Sequence, residues 1–246
     1  MLKMYAALKN NPGEIVKAAA CHRLINFARY MQPDLVLEPF HVVYYTLLDK
    51  FAHGEIKKMI VQMPPQHGKS EGSSRKLPAF MLGLNPDTKI CIGSYAATIA
   101  RDFNRDVQRI IDTPKYREIF PKTFLNGSNV VTMANTYLRN SDVIEMVGHK
   151  GSLRVVGRGG ALTSKTVDVM IMDDVYKDYS EGNSPIVRNA AWKWYTTVVK
   201  KRLHNKSQEL IVFTRWHEED LIGKIEKGGE KIIDIKSWDS IKNIPD

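Results

Sequence analysis

Long apolar runs, cysteine clusters and internal repeats are all missing from this 246-residue chain. No stretch approaches the ~20 apolar residues that a membrane-spanning helix needs. The opening segment, MLKMYAALKNNPGEIV, has neither the apolar core nor the cleavage site of a signal peptide. Only 2 cysteines occur, Cys21 in AAACHRL and Cys91 in KICIGSY. That spacing excludes a disulfide framework, a metal knuckle and a redox pair, and both read as buried thiols of a reducing compartment. Acidic residues run short: 27 Asp and Glu against 36 Lys and Arg leave a net charge of +9. The excess favours a polyanionic partner, most simply nucleic acid, or else serves as a solubilising surface. The expectation is a soluble, intracellular protein without a membrane partner.

What is present is a globular composition, 43% hydrophobic, on a length that fits one large domain. Residues 13–31 predict one amphipathic helix, and His41 to Ala52 a second that stops at His53-Gly54. KKMIVQM, KICIGSYA, VDVMIMDD and QELIVFTRW read as buried strands. SEGSSRKLPAFMLGL, AATIARDFNRDVQRIID and VRNAAWKWYTTVVKKRLH read as helices between them, the second carrying both charge signs as a surface helix. NVVTMANTYLRN and DVIEMVGHKGSLRVVG predict a pair of antiparallel strands. Strands alternating with helices imply an α/β fold with a mainly parallel sheet covered on both faces.

Three stretches carry chemistry. The first, VQMPPQHGKSEGSS, ends a strand with Gly68-Lys69-Ser70, the closing half of a phosphate-binding loop, although Met63 stands where the opening glycine belongs. In such a loop Gly68 admits close backbone approach, Lys69 reaches the β- and γ-phosphates, and Ser70 ligates magnesium. Pro64-Pro65 can replace the flexible glycine by a turn of fixed φ. The second is DVMIMDD. Asp173 at its end is placed to hold magnesium with Ser70, and Asp174 to orient and deprotonate the attacking water, unless the two merely cap an exposed strand end. The third is FTRWHEEDL, where Thr214 stands at the carboxyl end of a strand, either sensing the γ-phosphate or capping the next helix. His217, Glu218, Glu219 and Asp220 read as a solvated helix start.

LVLEPFHVVYYTLLDKFAHGEIKKMIVQMPPQHGKSE, CIGSYAATIARDFNRDVQRIIDTPKYREIFP, GSLRVVGRGGALTSKTVDVMIMDDVYKD and FTRWHEEDL, in that order, resemble the ATPase domain of tailed-bacteriophage terminase large subunits. The resemblance covers about Leu35 to Leu221. It implies a P-loop NTPase of the ASCE type, with a helical N-terminal appendage over 1–34, a motor domain over 35–232 and a linker starting at 233–246. It implies nucleotide contacts at Pro65, Gln66, His67, Gly68, Lys69 and Ser70, magnesium at Ser70 and Asp173, catalysis by Lys69 and Asp174, and coupling through Thr214. ATP and Mg2+ are the cofactors it implies. The partners it implies are double-stranded DNA, further copies in a ring, the phage portal protein and the small terminase subunit, in the host cytoplasm.

The chain departs from that family at Gln66, where many relatives have arginine, at Asp174, where many have glutamate, at Val175 for proline, and at Ser164-Lys165 for Gly-Arg. Arg158 in VVGRGGAL is the candidate arginine finger, a mobile loop tip reaching a neighbouring subunit, ahead of Arg154, Lys165 and Arg215; its alternative is pairing with a surface acid. Phe40 in EPFH stacks on the adenine or belongs to the core. Lys200, Lys201 and Arg202 face DNA or form a basic helix end, with Lys206 nearby. The competing readings are a helicase-like ATPase and a nucleotide-dependent DNA-binding module without turnover. The chain stops at Asp246, too early for the family's C-terminal nuclease, which suggests an isolated motor domain or a truncated product. DNA incubated with it and magnesium or manganese should stay intact; cleavage persisting in Asp173→Asn would contradict this domain reading.

Overall fold

The computed structural model describes residues 12–129, 136–162 and 166–228, and the backbone of 233–235. Seven strands form one sheet in the order β3-β4-β2-β5-β6-β1-β7. They are β1 (Lys58–Gln62), β2 (Lys89–Ser94), β3 (Val143–Glu145), β4 (Ser152–Gly157), β5 (Val167–Asp173), β6 (Leu203–Phe213) and β7 (Ile233–Ile235). Every neighbouring pair is parallel except β3 and β4. The antiparallel pair therefore lies wholly within DVIEMVGHKGSLRVVG. Residues 130–135 of the other expected strand fall outside the described residues, and Arg139 makes a single bridge to Ile144.

Alternate residues of the central strands feed two cores, as a pleat dictates. Ile90, Ile92, Val169, Ile171, Leu210 and Val212 face one layer of helices. Cys91, Met170, Met172, Ile211 and Phe213 face the other. The first layer holds α1 (Pro12–His22), α2 (Leu24–Met31), α3 (Pro39–Ala52), α4 (Leu77–Leu84), α5 (Ala97–Ile111) and α6 (Pro114–Ile119). The second holds α8 (Pro185–Trp194) and α9 (Leu221–Lys227); the short α7 (Tyr179–Asn183) leads into α8. Burial raises the Cys91 thiol to about 12, as befits an inert core cysteine.

Several boundaries differ from expectation for physical reasons. The single helix over 13–31 is broken at Arg23, which is extended (φ −134) because Asp49 of α3 takes both the Leu24 amide at 2.7 Å and the Arg23 guanidinium at 2.9 Å. α5 is a surface helix with one buried face, formed by Ala100, Phe103, Asn104, Val107 and Ile111, while Asp102, Arg105 and Arg109 are exposed. α8 gives way to a π-turn over Tyr195–Val199 and a 3-10 turn over Lys200–Arg202, so β6 already begins at Leu203. Gly54 takes a left-handed φ of 80° where the stop of α3 was expected.

The N-terminal helices share the core of the sheet domain. Phe27 is fully buried, with ring centroids 5.4 Å from Phe80, 6.1 Å from Tyr116 and 6.0 Å from Phe120. Phe27→Ala should destabilise the protein by roughly 3–5 kcal/mol, read by urea unfolding. A loss under about 1 kcal/mol would mean that these helices are peripheral.

Candidate nucleotide site

β1, β5 and β6 run in parallel and end together, so the residues after them meet at one edge of the sheet, where open α/β folds bind ligands. β6 lies between β1, which leads into the phosphate-loop sequence, and β5, which ends in the acidic pair. Met63 closes β1 as a core residue at 8% exposure, which explains why no glycine is needed there. The left-handed backbone instead falls at Gln66 (φ 62) and Gly68 (φ 73). A side chain at Gly68 would also lie 3.1 Å from His41 Nε2.

His41, in the first turn of α3, braces this loop. Its Nδ1 accepts from the Glu38 amide at 3.0 Å, so Nε2 carries the proton and donates to the His67 carbonyl at 3.2 Å. Burial lowers the His41 pKa, in keeping with this neutral tautomer. Tyr44, one turn further on, donates its hydroxyl to the Lys69 carbonyl at 2.6 Å. Neither residue is assigned a role from the sequence. Only their i, i+3 spacing on the helix entering from EPFH hints at a shared face.

Lys69 is buried, and its ammonium sits 3.0 Å from Asp174 Oδ2 and 2.9 Å from Thr214 Oγ1. The Thr214 amide donates to Asp174 Oδ1 at 3.3 Å, closing a triangle among the three segments. Thr214 also donates its hydroxyl to the Met63 carbonyl at 3.3 Å, so it ties β6 to β1. Asp174 takes a positive φ of 44°. That conformation costs a non-glycine residue about 1 kcal/mol, and it turns Asp174 out of the strand while Asp173 stays in. The Asp174 carbonyl accepts from the Tyr95 amide at 2.9 Å, which anchors the turn to the end of β2.

Asp173 is 1% exposed. Ser70 donates to its Oδ1 at 3.0 Å and Ser74 to its Oδ2 at 2.5 Å. Burial first, and the neighbouring Asp174 second, push its pKa up to about 6, with Ser74, Ser70 and Lys69 pulling the other way. The donor set here is all oxygen, Ser70 hydroxyl and Asp173 carboxylate, which suits a hard divalent ion such as magnesium. A buried carboxylate of raised pKa also fits a position where a cation is bound.

Several expected site residues are engaged elsewhere. Arg158 is no free loop tip: its guanidinium donates to the Val175 carbonyl at 2.7 Å and Glu181 at 2.9 Å, beside the Tyr176 ring. Arg215 is held by Asp220 at 3.1 Å and Glu226 at 3.0 Å. Arg154 lies on β4 facing Glu145 at 3.6 Å, and Lys165 is outside the described residues. Phe40 packs against His41 and His67, with ring centroids 3.8 and 5.9 Å away, and is 8% exposed, so the loop's own histidine covers it. Lys200 pairs at 2.9 Å with Glu209, a buried carboxylate, rather than presenting its charge outward; Lys201 is exposed and Arg202 half-buried. All three precede β6, at the end of the sheet opposite Thr214. Asp220 is not solvated: fully buried, it caps α9 by accepting from the Gly223 amide at 3.0 Å. Thr214 is thus not the cap of that helix.

Residues 60–243 match the family described as "Terminase large subunit, T4likevirus-type, N-terminal". The chain belongs to that family. Among curated proteins none matches its sequence. The terminase fold is similar to the crystal structure of the HK97 bacteriophage large terminase, at 15% identity and a TM-score of 0.55, over 92% of this chain and 45% of that one. The Thermus phage P74-26 large terminase ATPase domain aligns at 18% identity and a TM-score of 0.45, over 65% of this chain and 60% of that one. The chain therefore spans about half the length of those relatives. Among the described residues no helix is long and apolar enough to cross a membrane.

The raised Asp173 pKa makes a stability prediction for this terminase domain without nucleotide or metal. The folded protein holds this proton more tightly than the unfolded chain, so the Asp173 contribution to stability is fully present below pH 4 and is lost as pH rises through about 6. The shift from 3.8 corresponds to roughly 3 kcal/mol at most. Asp173→Asn keeps an acceptor for one serine and offers the other an N–H donor, to which its hydroxyl oxygen can turn, and should equal or exceed wild-type stability at pH 8 in urea unfolding. A variant less stable there by 2 kcal/mol or more would contradict the assignment of a desolvated charge.

Proposed function

We propose that this chain binds Mg-ATP at the Gly68-Lys69-Ser70 loop and hydrolyses it to drive double-stranded DNA into a viral procapsid. The observation that carries this reading is the convergence of Lys69, Asp174 and Thr214, with Ser70 on Asp173, at the carboxyl edge of the sheet. Family membership and the net charge of +9 support the DNA substrate. The remaining partners we propose are further copies of the chain in a ring, the portal protein and the small terminase subunit, acting in the host cytoplasm.

Lys69 exchanges its bond to Asp174 for one to the γ-phosphate. That exchange releases the Asp174 carboxylate to orient a water molecule and accept its proton, in line with the γ-phosphorus. Ser70 and Asp173 would hold magnesium, which would supply positive charge to offset the charge on the phosphates. Thr214 loses its lysine partner in the same event, so the end of β6 senses nucleotide state; this is the coupling role. The backbone of Gln66 to Ser70 cradles the phosphates.

Arg158 serves within its own subunit. By holding the Val175 carbonyl it steadies the turn that carries Asp174, an alternative to reaching a neighbour.

Lys69→Ala should reduce steady-state phosphate release about a hundredfold or more while the variant still folds and unfolds cooperatively. Wild-type turnover by that variant would refute the nucleotide assignment. Arg158→Ala should also lose activity, and mixing it with Lys69→Ala subunits should restore nothing. Recovery in the mixture would instead make Arg158 a finger acting between subunits.

A further inference from the structure

Ser74 lies outside the Gly-Lys-Ser motif, yet it makes the second of the two hydroxyl contacts to Asp173. The segment after the phosphate loop, Glu71–Lys76, is a π-turn rather than α-helix. Gly72 permits its approach to α3, since a Cβ there would meet the Tyr44 ring at 2.7 Å. Ser70 and Ser74 are four residues apart and share a face, as i, i+4 neighbours do on a helix. Ser74 and Ser73 are fully buried. Each hydroxyl has one proton. Ser74 uses its own on Asp173 Oδ2, while Ser73 faces the Lys69 carbonyl at 2.9 Å and Ser74 Oγ at 3.2 Å.

We propose that Ser74 is a positioning residue for the divalent ion of the site: it fixes the Asp173 carboxylate so that Oδ1 stays turned toward Ser70. A carboxylate with one oxygen anchored from the phosphate-loop turn cannot rotate about its Cβ–Cγ bond without breaking that anchor. Oδ2 is occupied by a neutral donor, so Oδ1, which accepts from Ser70, would be the oxygen offered to a cation. Partners that orient a ligating carboxylate typically govern metal affinity by 10–100-fold. This inference rests on the magnesium role proposed above for Asp173.

The test is a Mn2+ titration by electron paramagnetic resonance in the presence of ADP, which needs no turnover. Ser74→Ala should weaken Mn2+ binding about tenfold or more, and the metal concentration for half-maximal ATP hydrolysis should rise with it. Ser73→Ala removes an equally buried hydroxyl that does not touch Asp173, and should bind Mn2+ like wild type. Ser74→Cys fills the space with a weak donor. It should resemble Ser74→Ala in affinity, and it keeps the test open if the alanine variant fails to fold. Wild-type affinity in Ser74→Ala or Ser74→Cys would overturn the inference, as would equal losses in Ser73→Ala and Ser74→Ala. Absence of Mn2+ binding by wild type with ADP would overturn the magnesium reading as well, which separates the two failures.

Discussion

One buried ammonium group joins the three segments that make up the site. Lys69 follows β1, Asp174 follows β5 and Thr214 follows β6, and the lysine bonds both of the others. The lysine is buried while the Asp174 side chain is 32% exposed, so water screens the pair less than it would a fully surface one. The sheet makes this meeting possible. Because β6 lies between β1 and β5 and all three are parallel, their carboxyl ends stand side by side. Breaking the Lys69 contact is therefore felt at the ends of two other strands.

Asp173 and Asp174 are adjacent carboxylates kept distinct by backbone geometry. Asp173, the last residue of β5, points into the protein, where two serines meet it. Asp174 adopts φ 44° and faces the lysine. The same turn is fastened from behind, by the Tyr95 amide on the Asp174 carbonyl and by Arg158 on the next one. From this turn the shorter aspartate side chain still reaches the Lys69 ammonium, at 3.0 Å.

What the sequence disclosed follows from what local patterns encode. Apolar runs at KMIVQ, KICIGS and VDVMIMD located the strands, since burial on both sides of a sheet leaves a continuous signal. Gly68-Lys69-Ser70 and Asp173-Asp174 marked the candidate site, because the roles proposed for them depend on residue type at a strand end. Contacts between distant segments left no such mark. The break at Arg23 depends on Asp49 of another helix, the fate of Arg158 on Glu181, and that of Lys200 on the buried Glu209. Ser74 was hidden because the turn that presents it is read as ordinary helix from composition alone. Phe40 could be core or ligand by its type, and its packing against His41 and His67 leaves no mark in the local sequence.

The central claim is that nucleotide competes with Asp174 for Lys69. It is tested most directly by comparing the affinity of wild type and Asp174→Asn for a slowly hydrolysed ATP analogue, by calorimetry at fixed magnesium. Removing the competing charge should make Asp174→Asn bind several-fold more tightly, against the loss expected if Asp174 helped to hold the nucleotide. Equal or weaker binding by Asp174→Asn would contradict the account.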